Sequence, residues 1–404
     1  MTLPYEVQNI IMTLTDAGFE AYAVGGCVRD AVLGREPEDW DITTNALPAE
    51  VKGLFKRTLD TGIEHGTVTV MRGKTGYEVT TYRVDGKYSD GRHPDQVTFT
   101  PDLREDLRRR DFTINAMACG QDGKIVDLFD GQEDLKKRLI RCVGDPDERF
   151  TEDALRILRA VRFSAQLDFE IEPATRDALR RHAPNLSHVS RERIMAELTK
   201  TLLSDHPEKL AELGPAGILP WLPGQFSECR ADRRAASLPK ERAVRFAAVF
   251  AESSPETVRG LLKELKSDRH TMDCAALLAG EVKKPLPETA AGVRILLSEI
   301  GPERFSELLL LKKAGYGLRA DDEDASRALD EALRAERLAE EILSRGDCIS
   351  LKQLALTGKD LVGLGIRPGP ELGQKLAFLL RKVLEEPELN DAETLKKLLA
   401  EEVR

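Results

Sequence analysis

Between Tyr22 and Asn45 the chain reads YAVGGCVRDAVLGREPEDWDITTN, which sets a double glycine and an arginine ahead of two aspartates, Asp39 and Asp41. Apolar residues before Gly25 and the Asp-Trp-Asp-Ile run read as strands, with an apolar helical segment from Val28 to Leu33 between them. A strand directs side chains i and i+2 to one face, so this reading predicts that Asp39 and Asp41 present two carboxylates together. Two like charges that close repel, and a divalent cation is the least costly way to keep both ionised. A turn at Gly25 and Gly26 lets backbone N–H groups approach a phosphate, and Arg29 can clamp it. Carboxylates, a metal and a phosphate cradle are the parts of a phosphoryl-transfer site.

Asp-x-Asp alone is weak: with 70 acidic residues in 404, such pairs arise about ten times by chance. The Gly-Gly-x-x-Arg-Asp element upstream is what gives this pair weight. At 41% hydrophobic the chain can bury substantial cores in more than one domain. Charged residues at 32% and aromatics at only 5% favour long, salt-bridged helices over a β-sandwich. Six cysteines (Cys27, Cys119, Cys142, Cys229, Cys274, Cys348) contain no Cys-x-x-Cys pair, which points to free thiols in a reducing cytosol. No charged-then-apolar leader and no 18-residue apolar run is present, so a cytoplasmic protein without a membrane partner is expected. The net charge of −10 argues against nucleic acid until its distribution is considered. Lys136 to Lys200 carries 14 Lys and Arg against 11 Asp and Glu. A basic middle within an acidic periphery permits RNA binding while limiting non-specific adhesion.

Strand-like runs at Gly66–Met71, Tyr77–Tyr82 and Val97–Thr100 mark the first 138 residues as mixed α and β. After Leu139 the pattern turns helical and stays so, with three- and four-residue apolar spacing in Glu152–Phe163 and Arg191–Leu203. Breaks are expected at Gly214–Pro215, Pro220 and Pro223–Gly224, and a long helix over Glu323–Ser344. The predicted fold class is α+β: a small head of mixed sheet and helices (residues 1–138), then an all-helical neck (139–206), body (207–290) and tail (291–404).

Three further motifs carry chemistry. Glu78 lies in the alternating run Tyr-Glu-Val-Thr-Thr-Tyr-Arg, where it can pair beside the Asp39/Asp41 strand or stand as an edge-strand surface acid. Arg109-Arg110-Asp111-Phe112-Thr113-Ile114-Asn115-Ala116 offers fixed donors and acceptors in Arg110, Asp111 and Asn115, or else a helix start capped by Asp111. Glu152-Asp153-x-x-Arg156 sets Asp153 and Arg156 on one helix face, where the bland reading is a helix-stabilising ion pair. Arg159 and Arg162 continue at three-residue steps, although nine residues of helix put Arg162 about half a turn from Asp153.

Together these motifs resemble the class II tRNA nucleotidyltransferase and poly(A) polymerase family of the polymerase β superfamily, and within it the bacterial CCA-adding type. The resemblance is densest over residues 22–200 and looser from 207 to 404. It implies a polymerase β-like nucleotidyltransferase head that adds CCA to tRNA 3′ ends from CTP and ATP without a nucleic-acid template. Mg2+ on Asp39 and Asp41 would serve a two-metal transfer that releases pyrophosphate, with Glu78 as third carboxylate. Gly25, Gly26 and Arg29 would hold the triphosphate, and Arg110, Asp111 and Asn115 the ribose. Asp153 and Arg156 would select the base, and Arg159 and Arg162 would be nucleotide-binding. Arg162 can equally reach the triphosphate or buttress the neck. Gly62-Ile63-Glu64-His65-Gly66-Thr67-Val68 and the segment Arg83–Val97 resemble CCA-adding enzymes, the latter their flexible loop; a generic surface loop has the same composition. Ser190-Arg191-Glu192-Arg193-Ile194 with Glu197 resembles the last neck motif, a helix start capped by Ser190. Lys359 and Arg367 sit in tail turns that either orient helices against the acceptor and T arm of tRNA or are simply solvated. A monomer and a homodimer are both compatible. The alternatives are an A-adding or CC-adding enzyme, a poly(A) polymerase, or a catalytically silent RNA-binding protein on the same fold.

Overall fold

The computed structural model describes residues 1–86, 97–222, 226, 234–317 and 323–402. The chain divides into two units, residues 1–227 with 264–267 and residues 228–263 with 268–404. Most of the segment Arg83–Val97, together with Cys229 and the break at Pro223–Gly224, lies outside the described residues.

The first unit opens with α1 (Tyr5–Asp16), whose Val7, Ile10, Ile11 and Leu14 recur at helical spacing and are buried. Then come β1 (Ala21–Val24), α2 (Gly26–Val32), β2 (Ile42–Thr44), α3 (Pro48–Leu54), β3 (Thr58–Gly62), β4 (Thr67–Arg72) and β5 (Thr75–Thr81). A short antiparallel ribbon, β6 (Arg83–Asp85) with β7 (Val97–Phe99), leads to α4 (Leu103–Arg108), β8 (Met117–Cys119), β9 (Ile125–Asp127) and α5 (Gly131–Lys137). Seven strands form one sheet in the order β3-β4-β5-β2-β1-β8-β9. Only β2 and β5 pair in parallel, with Ile42 opposite Val79. Valines at every second position of β4 and β5 (Val68, Val70, Val79) fill the core beneath. Gly66 (φ 83°) has no substitute, because a Cβ there would sit 2.7 Å from the Phe99 ring.

Beyond residue 138 the first unit is helical with one exception. β10 (Leu139–Ile140) and β11 (Glu170–Ile171) form a two-residue parallel pair, too short for any periodicity to announce. Between and after them run α6 (Pro146–Glu152), α7 (Leu155–Leu167), α8 (Pro173–His182) and α9 (Arg191–Leu202). Asp145 caps α6 by accepting from the Asp147 amide at 2.9 Å, with Pro146 in the first turn where its missing N–H costs nothing. The continuous helix expected over Glu152–Phe163 is broken at Asp153, whose backbone is extended (φ −141°, ψ 104°). Ser190 precedes α9, but its side chain makes no capping bond.

The second unit contains α10 (Arg242–Val249), α11 (Pro255–Glu264, its last residue in the first unit), α12 (Arg269–Glu281), α13 (Ala290–Ile300), α14 (Pro302–Gly317), α15 (Glu323–Arg345), α16 (Gly358–Gly363), α17 (Pro370–Glu385) and α18 (Ala392–Glu402). One apolar cluster gathers Val244, Leu278, Val293, Phe305, Leu308 and Ile342; a second gathers Leu354, Leu361, Leu379, Val383 and Leu395. Buried cations close helix ends here. Arg294 donates to the Leu384 and Glu385 carbonyls at the end of α17 (2.7 and 3.0 Å) and to Asp347 at 3.2 Å. Lys312 donates to Val282 O and Lys284 O just past α12, and burial pushes its pKa down to about 8. No described helix is long and apolar enough to cross a membrane.

Arg294→Met keeps the apolar stem but strands two carbonyls and a carboxylate in the interior. A loss of about 3 kcal/mol is expected in urea unfolding followed by circular dichroism. A change below about 1 kcal/mol would show that Arg294 is not the clasp on α17.

Candidate active site

The two aspartates are brought together without the strand alternation expected of them. β2 begins at Ile42, so Asp39 and Asp41 lie in its extended lead-in. Asp41 O accepts from Val24 N at 3.0 Å, continuing the β1–β2 pairing by one residue. Because Ile42 pairs with Val79, the residue before each, Asp41 and Glu78, fall side by side on neighbouring strands. Burial raises the Asp41 pKa to about 6, as do Asp39 and Glu78 nearby, while Arg110 opposes the rise. Asp39 and Glu78 are exposed. Asp39 and Glu78 both act on Asp41 electrostatically. Among the described residues no three His, Cys, Asp or Glu side chains are grouped to hold a metal ion, but a pair of hard carboxylates suits a divalent ion that takes substrate phosphates as its other ligands.

Behind them the glycine turn is tightly constrained. Gly25 has φ 86°, and a Cβ on it would lie 2.9 Å from Arg110 Nη1. Its own N–H is spent on Met117 O at 3.2 Å, so the amides this turn can offer a phosphate are those opening α2 from Gly26 onward. Arg29 is buried; it donates to both Asp30 oxygens at 2.9 Å and to Asn115 Oδ1 at 2.7 Å. Asp106, fully buried beneath, accepts from Thr43 Oγ1 at 3.0 Å and from Arg109 at 2.8 Å, with Arg110 at 3.7 Å.

Asp111 is the centre of the arrangement. One oxygen accepts from Phe112 N (2.8 Å) and Asn115 Nδ2 (3.1 Å). The other accepts from Arg159 Nε at 2.8 Å and faces its Nη2 at 2.7 Å. Burial alone would push this carboxyl up, but Arg159 and Arg156 hold it well below the usual carboxylate range. The helix-cap alternative for Asp111 is excluded, since both oxygens are turned into this network.

The bland alternative, an Asp153–Arg156 ion pair on one helix face, is not formed. Asp153 sits between α6 and α7, accepting from Leu155 N at 3.0 Å and from Arg193 Nη2 at 2.7 Å. Arg156 bonds Glu152 (2.5 Å) and donates to the carbonyls of Arg149 (3.1 Å) and Arg109 (2.9 Å). Arg162 faces Glu197 at 2.7 Å and donates to Gln166 at 3.2 Å, which ties it to α9. Arg193 and Glu197, one turn apart on α9, therefore hold Asp153 and Arg162, on either side of Arg156 and Arg159. Sequence reasoning placed them in a scaffold motif but could not name their partners. It missed Phe163 and Phe112, whose rings meet edge to face at 5.8 Å within the arginine cluster, because both read as ordinary core residues. Head and neck are thus bonded to each other through Asp111 and Arg159, and Arg110 and Asp41 favour each other's charged forms.

Known proteins resemble this chain in sequence and in fold. Residues 21–141 match the family model of the Poly A polymerase head domain, and residues 168–227 the model of the probable RNA and SrmB-binding site of polymerase A. The CCA-adding enzyme of Limosilactobacillus fermentum is 39% identical, covering 99% of this chain and 98% of that protein. That of Levilactobacillus brevis is 40% identical over 93% and 92%. The crystal structure of the Bacillus stearothermophilus CCA-adding enzyme in complex with CTP superimposes with a TM-score of 0.80 at 32% identity, covering 100% of this chain and 99% of that one.

Asp111 provides a pH test. Its folded pKa is depressed, so the stability it contributes is complete above its unfolded value of about 4 and is lost as pH falls toward the folded one. Asp111→Asn is expected to cost about 2 kcal/mol at pH 7 in chemical denaturation. That gap should narrow steadily as pH drops below about 4; a gap independent of pH would mean that the ionised carboxylate is not what Arg159 requires.

Proposed function

The chain belongs to the family of CCA-adding enzymes, nucleotidyltransferases that depend on a divalent metal, and on that premise we propose the division of labour in its site. The activity is template-independent addition of CCA to the 3′ end of tRNA from CTP and ATP, with release of pyrophosphate. The observation that supports it best is the bonded joint between the motifs: Asp111 accepts from Arg159 on α7 and from Asn115, and Asn115 in turn accepts from Arg29 beside the glycine turn. A nucleotide bound along that joint would meet the head carboxylates with its phosphates and the neck with its base.

Asp39 and Asp41 would hold Mg2+, which supplies Lewis acidity to the phosphate and lowers the pKa of the attacking hydroxyl. Glu78, beside Asp41 by register, orients the tRNA 3′-hydroxyl and accepts its proton. Arg29 and the amides opening α2 take the triphosphate. Asn115 is held between Arg29 and Asp111, and with Arg110 it is placed to test the ribose. Asp153 keeps acceptor capacity beyond its two bonds, since a carboxylate has about four lone-pair sites. An acceptor there favours the exocyclic amine of cytosine or adenine over the carbonyl of uracil, and Arg156 supplies the complementary donor. Each such pair discriminates by roughly 1–3 kcal/mol. Arg159 and Arg162 set the positive field around the nucleotide. Residues 1–138 would be the catalytic head, 139–206 the base-selecting neck, 207–290 the body and 291–404 the tail, the last meeting the tRNA acceptor and T arm.

Incubating a tRNA that lacks its terminal CCA with CTP and ATP, separately and together, tests this reading. Two residues added with CTP and a third only with ATP present support CCA addition; A alone, CC alone or a long A tail each replace it with a narrower relative. Asp39→Ala or Asp41→Ala should lower kcat on the order of a thousandfold, and a variant that still extends tRNA at the normal rate overturns the metal assignment. Asp153→Ala should reduce CTP-over-UTP preference by about tenfold or more in single turnovers, whereas unchanged selectivity counts against base reading by this residue.

A further inference from the structure

Phe163 lies on α7 one turn beyond Arg159 and next to Arg162, and it is only 4% exposed. Three guanidinium groups surround its ring. The guanidinium carbon of Arg162 is 4.0 Å from the ring centroid, that of Arg29 5.1 Å and that of Arg159 5.3 Å. Phe112 meets the same ring edge-on with an interplanar angle of 81°. Each arginine has its own anionic partner (Asp30, Asp111 and Glu197), and these come from three different segments of the chain.

Three like charges gathered around one buried side chain repel in a medium where water screens them poorly. Burial already disfavours the charged form of Arg162, and Arg159 and Arg29 add to that pressure. A hydrophobe of any shape could fill the space. An aromatic ring also presents a negative π-face to cations within about 6 Å, and an aromatic neighbour on edge fixes its tilt. We propose that Phe163 is a positioning residue: its ring sets the spacing of Arg29, Arg159 and Arg162, so that an incoming nucleoside triphosphate meets three guanidiniums already in place. This inference rests on the nucleotide-binding reading of those arginines. Phe163 need not touch the nucleotide; it acts through the cations it gathers.

A graded series separates this role from packing. Phenylalanine with one, two and three ring fluorines, incorporated at residue 163 of the full chain, weakens the π-face stepwise at nearly constant volume. With Mg2+ and a tRNA lacking its terminal CCA, KM for CTP and for ATP should climb with each fluorine, to about tenfold for the trifluoro ring. kcat should stay within about twofold, and the melting midpoint should hold. Phe163→Leu should resemble the trifluoro ring in KM, and equilibrium dialysis of CTP should show the same order without turnover. A flat KM across the series, or a fall in kcat alone, overturns the inference and leaves Phe163 as core. If the unmodified protein adds no nucleotide and binds none, the functional reading fails first, and this inference falls with it.

Discussion

A carboxylate with almost no access to water, Asp111, receives the guanidinium of Arg159, the amide of Asn115 and the backbone N–H of Phe112. An ionised group in that position costs several kcal/mol in lost hydration unless donors replace the water, and here they do. The consequences spread in two directions. Asn115 must turn its amide nitrogen toward Asp111, which leaves its oxygen for Arg29. Arg159 must stay on Asp111, which pins α7 to the segment following α4. The sheet that carries the aspartates and the helix that carries the arginine series are thereby joined by a charge neither can release without stranding the other.

This joint explains how an acidic chain sustains a basic pocket. Asp39, Asp41 and Glu78 lie near one another where β2 and β5 run parallel, and burial first, with Asp39 and Glu78 adding to it, pushes the Asp41 pKa up. Arg29, Arg159 and Arg162 collect around Phe163, a short distance along the same network. Arg110 lies between the two groups, pulled by Asp106, Asp41 and Asp111 together. A nucleotide presents the complementary pattern: phosphates that need cations, and a reacting phosphorus that needs a metal held by carboxylates. Net charge describes neither end, because both are set by which side chains share a few ångströms of poorly screened space.

The head was legible because its signals are local. A strand, a double glycine, a short apolar helix and a second strand leave the chain little choice, and β1, α2 and β2 appear in that order. α2 starts two residues early at Gly26, and β2 starts only at Ile42, after the Asp-Trp-Asp run read as strand. The strand expected to pair the two carboxylates begins only after them: Asp39 and Asp41 lie in its lead-in, and Asp39 acts on Asp41 electrostatically. The neck was less legible. Apolar spacing runs unbroken through Glu152–Phe163, so nothing local marks the interruption at Asp153. That break is set from outside, by Arg193 on α9 and by the Arg109 carbonyl that receives Arg156. Ser190 failed as a cap although its position is correct, and β10 with β11 is too brief to leave a period. Phe163 and Phe112 fit the apolar pattern of any core, and only the convergence of three arginines on one ring distinguishes them.

The break at Asp153 has a physical use that a continuous helix would lack. On an unbroken helix Asp153 and Arg156 would satisfy each other, and a base arriving between them would have to pull the pair apart. Displaced from α7, Asp153 is oriented by Arg193 and the Leu155 amide, while Arg156 is oriented by Glu152 and two backbone carbonyls. Two groups of opposite charge are kept near one another without being spent on one another. Holding polar groups in advance, by partners other than the ligand, removes the reorganisation a flexible pair would undergo on binding. The Arg109 carbonyl that anchors Arg156 directly precedes Arg110 and Asp111, so α7 is tied to the segment after α4 a second time, next to the Asp111–Arg159 bond.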